Sequence, residues 1–209
     1  MNDSTSSAAG FTVKLAQWIA AAPRNWPSQA IDQAERAIVD TVACMIAGSR
    51  DEAVQRIRQG LRQWGAQGTA SRIGDANAID APWAALINGS AAHALDYDDV
   101  LDPAASHVSA VLVPSLLALA EEIDASGADL VDAYITGVEV EQCLAEALNM
   151  VHYSHGWHTT LTFGAPAAAA ACARLLRLNA GQVCNALSLA RSEEHTSELQ
   201  SHHDLVCRL

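Results

Sequence analysis

The architecture of this chain turns on Ala165-Pro166-Ala167-Ala168-Ala169-Ala170-Ala171-Cys172-Ala173. Alanine is the strongest helix former, and its single methyl group lets neighbouring helix axes approach to the low end of their usual spacing. The run therefore reads as a closely packed helix and not as disordered low-complexity chain. It predicts a helix that starts at Thr159 or Thr160 and continues through Leu176. Upstream, Asp129 is read as the cap of a helix through Tyr134, Val138 and Leu144. Val108 to Ile123 is a very apolar helix, with Pro114 either in its first turns or kinking it. Asp80 is a candidate N-cap with Pro82 in the first turn, for a helix running through Leu86, Ile87 and Leu95. Phe11, Leu15, Trp18, Ile19 and Ala22 share one helical face that stops at Pro23, and Ile31, Ala34, Ile38, Val42 and Met45 share another between Ser28 and Gly48. Val54, Ile57, Leu61 and Trp64 form a third stripe, ended by Gly65 and Gly68. Asn179 caps a last helix. A short extended piece at Ser71-Arg72-Ile73 is the one departure, so the expected fold is all-α, a multi-helix domain.

Composition narrows the function. The chain has 209 residues, 50% of them apolar and 17% charged. That is enough for a packed core in one domain, with two small ones the limit. Aromatics make up only 5%, so the core is closely spaced and not filled by rings. A net charge of −12 makes nucleic acid and anionic membrane poor partners. No apolar run approaches the length needed to span a bilayer. Residues 1–10 are polar and read as a disordered N-terminus, with no signal peptide. Cysteines at 44, 143, 172, 184 and 207 have neither metal-ligand nor redox spacing, and read as reduced, mostly buried thiols of a cytoplasmic protein.

The texture changes at Arg191. RSEEHTSELQSHHDLVCRL abandons the alanine-rich pattern, and its residues 191–201 and 205–209 match in register a translated short-read sequencing adapter. Residues 191–209 are therefore expected to be a non-native tail, with native sequence breaking off near Ala190. On this reading His195, His202, His203 and Cys207 are no metal cluster.

Chemistry concentrates in two segments. One runs from Asn88-Gly89 through His93-Ala-Leu-Asp96-Tyr97-Asp98-Asp99 to His107-Val108-Ser109. The other is His155-Gly156-Trp157-His158-Thr159-Thr160. The five histidines outside the tail, 93, 107, 152, 155 and 158, all fall in or beside them. Concentrated imidazoles suit acid/base work. A helix continuing to Asp96 would put His93 and Asp96 one turn apart on one face. Asp98 and Asp99 would follow where that helix frays, and three carboxylates in four positions need a cation, a donor or water. Yet no Lys or Arg lies between Arg72 and Arg174. An anionic ligand held here would need its main cations from elsewhere.

These motifs, in this order, resemble the MmgE/PrpD family, which includes 2-methylcitrate dehydratase, cis-aconitate decarboxylase and an iminodisuccinate epimerase. The opening Ala34-Glu35-Arg36-Ala-Ile-Val-Asp40-Thr-Val-Ala-Cys-Met-Ile-Ala-Gly48 is similar to that family's N-terminal helices. The resemblance covers roughly residues 10–190. It implies a large helical domain followed by a smaller α/β domain, in a cytoplasmic homodimer with the active site between domains. Residues 11–190 would be the incomplete N-terminal part of the helical domain. The implied substrate is a small di- or tricarboxylic acid, with no cofactor and no metal. The implied chemistry is proton abstraction beside a carboxylate. Loss of water, as in 2-methylcitrate dehydratase, is the expected outcome, and decarboxylation or epimerisation the family alternatives. By motif match Asp96, His107 and His158 are implied as catalytic, and His93, Ser109 and Thr160 as substrate-binding. The family's active-site lysines lie beyond Ala190, so this chain by itself is expected to be inactive. Val100 and Val108 stand where family members often carry Thr and Pro.

Two readings from other classes compete. Asp98-Asp99-Val-Leu-Asp102 matches the Asp-Asp-x-x-Asp motif of Mg2+-dependent isoprenoid-type synthases, which are also all-α. A non-catalytic helical module is the other. In a full-length protein, His158→Ala or Asp96→Asn should lower turnover by orders of magnitude while circular dichroism and melting stay unchanged. Near-normal kcat in both variants would refute these two assignments.

Overall fold

Helix follows helix in the computed structural model, which describes residues 10–63, 68–102 and 104–191. The α-helices are α1 Phe11–Ala21, α2 Ser28–Gly48, α3 Glu52–Gly60, α4 Ala81–His93, α5 Val108–Ile123, α6 Gly127–Ser154, α7 Thr159–Leu175 and α8 Ala180–Arg191, with a 3-10 turn at Leu61–Gln63 after α3. The all-α expectation holds. None of these helices is long and apolar enough to cross a membrane. Trp64, Gly65 and Pro103, which entered the expectations above, lie outside the described residues. So do the polar N-terminus to residue 9 and the tail from residue 192, with Cys207 in it.

The alanine run explains the layout. Helix α7 packs against α5, α6 and α8. Ala167 and Ala171 belong to the main core with Met45, Ile87, Leu112 and Leu116. Ala170 and Ala173 belong to a second core with Ile19, Val140 and Val183. A helix buried on two faces must be apolar on both, and alanine achieves this without thickening the layer. Each fully buried large aliphatic contributes about 1.5–3 kcal/mol relative to exposure. Glycine tightens two of the crossings. A Cβ on Gly137 of α6 would lie 2.8 Å from Leu112 Cδ1 and 3.0 Å from Ala171 Cβ, and one on Gly48 of α2 would overlap the Ala91 carbonyl of α4.

Arg174, buried at the end of α7, ties three elements together. Its guanidinium forks onto Asp132 of α6 at 2.8 and 3.1 Å. It also donates to the Ile19 and Ala22 carbonyls at 2.9 and 2.8 Å, closing orphan acceptors at the end of α1. Trp26 Nε1 donates to the same aspartate at 2.9 Å.

Several local expectations change. Ser126, not Asp129, caps α6: its hydroxyl accepts from Asp129 N at 3.1 Å and donates to the Asp129 carboxylate at 2.8 Å, a reciprocal capping pair. Helix α6 holds no proline and runs on to Ser154, so His152 is helical. Pro114 lies inside α5. Ser71-Arg72-Ile73 forms no strand. Ala70 and Ile79 make an isolated bridge beside it, and Asn88 holds the piece by accepting from Ile73 N at 3.0 Å and donating to Ser71 O at 2.8 Å. The third stripe breaks at Gly60. Of the described cysteines, all free, Cys44 is buried, Cys172 and Cys184 are partly covered, and Cys143 is exposed on α6. "Mostly buried" was therefore too strong, since helical position alone does not say which face meets solvent.

Glu141 is the odd residue of the core. It sits fully buried in α6, accepts a hydrogen bond from the Ser106 hydroxyl, and leaves its Oε2 without a partner. Burial pushes its carboxyl up to about 7, against the lowering effect of Ser106. The folded value lies above the unfolded one, ordinarily about 4.3. The folded chain therefore binds this proton more tightly. Its stabilising effect is fully present below the unfolded value and is lost as pH rises through about 7. Glu141→Gln retains an oxygen for Ser106 and cannot ionise. Melting profiles across that window should be shallower in the variant, by on the order of 3 kcal/mol at most; superimposable pH dependences would refute the assignment.

Candidate active site

The site forms where the C-terminal end of α4 meets the N-terminal ends of α5 and α7. Helix α4 stops at His93. Asp96 then adopts left-handed backbone geometry, with φ 51°, and its N–H closes a turn on the His93 carbonyl at 3.0 Å. Aspartate tolerates this conformation better than most residues. The chain reverses there and returns towards α5. A bridge between Leu101 and Ser106 pinches the returning loop.

Hydrogen bonds from other elements hold that loop in place. The Thr159 hydroxyl donates to Ala105 O at 2.6 Å, and His107 N donates to Thr160 Oγ1 at 3.0 Å. Ser106 is anchored on Glu141. Asp99 caps α5 from outside it, accepting from Ser109 N at 3.2 Å and from the Ser109 hydroxyl. A carboxylate at a helix N-terminus is favoured by the helix dipole. The Ser109 hydroxyl also meets Tyr134 Oη at 2.7 Å. Burial raises the Asp99 pKa despite the Ser109 hydrogen bonds, and neighbouring Asp98 adds to the rise. Burial likewise pushes the Tyr134 hydroxyl up to about 12.

Asp98 lies at the centre. Its carboxylate is fully shielded, with 0% exposure. His93 Nδ1 sits 3.1 Å from both of its oxygens. His107 Nδ1 sits 3.1 Å from Oδ2 but out of hydrogen-bond alignment, so this buried nitrogen has no hydrogen-bond partner. The two rings are 4.6 Å apart and tilted by 59°. Asp96, 80% exposed, stands at the rim with Oδ1 3.7 Å from His107 Nε2. Among the described residues, no ion pair joins a Lys or Arg to Asp96, Asp98 or Asp99. Arg72 pairs with Asp75 and Arg174 with Asp132.

This geometry rearranges the expected site. His93 and Asp96 do not pair along a helix, because α4 ends before Asp96; Asp98 takes that place and Asp96 turns to His107. Ser109 is fully buried, its hydroxyl committed to Asp99 and Tyr134, and Thr160 is buried under His107. His158 is exposed, stands at the N-cap of α7 without capping it through its side chain, and is not among the clustered donors His93, Asp96, Asp98 and His107. Asp98 and Asp99 point to different partners, imidazoles for one and α5 for the other, so they do not act as the paired ligands of an Asp-Asp-x-x-Asp site. Tyr134 and Glu141 escaped the reading of the sequence. The visible signal for Glu141 was an acid between Val140 and the apolar positions Leu144 and Ala145.

Comparison with known proteins follows the same lines. The cis-aconitate decarboxylase-like protein oryM of Aspergillus oryzae is 30% identical over 199 residues, covering 91% of this chain and 41% of that protein. Cis-aconitate decarboxylase of Aspergillus terreus is 26% identical over 193 residues, covering 89% and 39%. The human cis-aconitate decarboxylase is 30% identical over 168 residues, covering 78% and 35%. The chain thus spans about two fifths or less of the length of these relatives. The family model described as the MmgE/PrpD N-terminal domain matches residues 13–205, a span that enters the segment read above as foreign. With helices, motif order and matched span in agreement, the chain belongs to the MmgE/PrpD family.

Proposed function

We propose that this chain supplies the proton-transfer half of the active site of a cofactor-independent lyase acting on a small tricarboxylic acid, in a larger homodimeric enzyme. The observation that supports this is the buried Asp98 carboxylate facing two imidazoles with no Lys or Arg paired to the cluster. The Asp98 carboxylate, in hydrogen-bond contact with His93 Nδ1, fixes the tautomer and orientation of that imidazole. His93 and His107 are then placed to take a proton from carbon beside a carboxylate and to return one. Asp96 at the rim orients His107. His158, carried on the cap of α7, approaches substrate from the opposite segment. The same cluster repels a polyanion, so substrate carboxylates and the developing enolate charge need cations from sequence outside these elements.

The names of the relatives favour decarboxylation as the outcome. In that reaction the C–CO2 bond breaks and its electron pair delocalises into the adjacent unsaturated acid. An imidazolium then delivers a proton to carbon as CO2 leaves. Dehydration, the outcome expected from the family resemblance, instead takes a proton from carbon beside a carboxylate and delivers one to the departing hydroxyl, which leaves as water. Both are assayed together by proton NMR of the complete gene product given cis-aconitate or 2-methylcitrate in D2O, where the decarboxylated product should carry solvent deuterium. His107→Gln and Asp98→Asn should each lower kcat by about 10²–10⁴-fold. Undiminished turnover in both variants would overturn the proposal.

A further inference from the structure

We propose that His93, Asp98 and His107, with Asp96 at the rim, form a binding site for one divalent transition-metal cation of the Zn2+ type. One donor atom from each of the four residues lies within 4.8 Å of all the others. In a tetrahedral zinc shell, with bonds near 2.0–2.2 Å, ligand atoms sit about 3.4 Å apart. Two separations are near that value: 3.1 Å from His93 Nδ1 to Asp98 and 3.1 Å from His107 Nδ1 to Asp98. Small side-chain rotations would open the shell.

Three independent features favour a cation there. First, Asp98 is buried and hydrogen-bonded by His93, and among the described residues no guanidinium or ammonium pairs with it to balance its charge. Second, His107 Nδ1 is buried and lacks a hydrogen bond, an unmet demand that coordination would satisfy. Third, the loop bearing the ligands is already braced from behind. Glu141 holds Ser106, Thr160 holds the His107 backbone, and Ser109 holds Asp99. Such bracing is what orients ligands in metal sites. Two imidazole nitrogens with carboxylate oxygens suit Zn2+ better than Mg2+ or Ca2+, which prefer all-oxygen shells. The His93 side chain, 43% exposed, gives the ion a route in from solvent. A bound cation would take the ring-nitrogen lone pairs that proton transfer needs, so loading and turnover should compete. That consequence rests on the function proposed above; the site itself does not.

Co2+ serves as the probe, because tetrahedral coordination gives it strong visible absorption. The full chain is used with His195→Ala, His202→Ala, His203→Ala and Cys207→Ser, so that the tail cannot bind metal. One equivalent of Co2+ should produce the tetrahedral band, and Zn2+ should abolish it. Asp98→Asn, His107→Gln and His93→Gln should each eliminate the band while circular dichroism remains helical. His93 is the most exposed of the three, so its variant keeps the test decisive if Asp98→Asn fails to fold. Absence of the band in the parent, or its survival in His93→Gln, would overturn the site.

Discussion

Close approach between helix backbones is the constraint on which everything else in this molecule depends. Alanine and glycine line the crossings of α7 with α5 and α6 and of α2 with α4. At Gly48 and Gly137 there is no room for another carbon. Because α7 is thin enough to be buried on two faces, its first turn can reach the loop ahead of α5. That reach lets Thr159 and Thr160 hold Ala105 and His107 from a distant part of the chain. A core of bulkier residues would move the helix ends apart and dissolve the junction at which the histidines meet.

Within this apolar frame the buried polar groups divide into two kinds. Arg174 and Asp132 answer one another fully, with forked hydrogen bonds and carbonyl acceptors, as buried charges must. Glu141 and His107 are met only in part. Glu141 keeps one oxygen without a partner, and His107 keeps one nitrogen. Of the buried side-chain atoms without a hydrogen bond among the described residues, these two lie beneath and within the proposed active site, and Arg58 Nε lies apart on α3. Glu141 is thereby linked to the histidines through Ser106, although it touches neither of them.

Charge explains why the chain reads as one side of a larger site. Acids and imidazoles gather at one junction, whereas several arginines pair with acids elsewhere: Arg24 and Arg177 on Asp129, Arg56 on Glu52, Arg174 on Asp132. A field of this sign favours cations and protons at the junction. The polycarboxylate proposed above as substrate would need positive charge brought in from outside the junction. The exposed apolar residues Leu95, Tyr97, Val100 and Trp157 lie in the same two segments as the histidines.

Helix content, the order of the helices and the two segments that carry the chemistry were legible in the residues alone, because helical periodicity and the punctuation by Gly, Pro and capping residues are local signals. The boundaries of α2, α5 and α7 followed from them closely. The pairing of charges did not. Which carboxylate meets His93 depends on a left-handed turn at Asp96 that ends α4 early and carries Asp98 back under the ring. Which hydroxyl meets Asp99 depends on how α5 is docked. The partnership of Ser106 with Glu141 joins the loop ahead of α5 to α6 and leaves no periodic trace. Side-chain partners across such distances are set by packing in three dimensions, and local pattern holds no information about them.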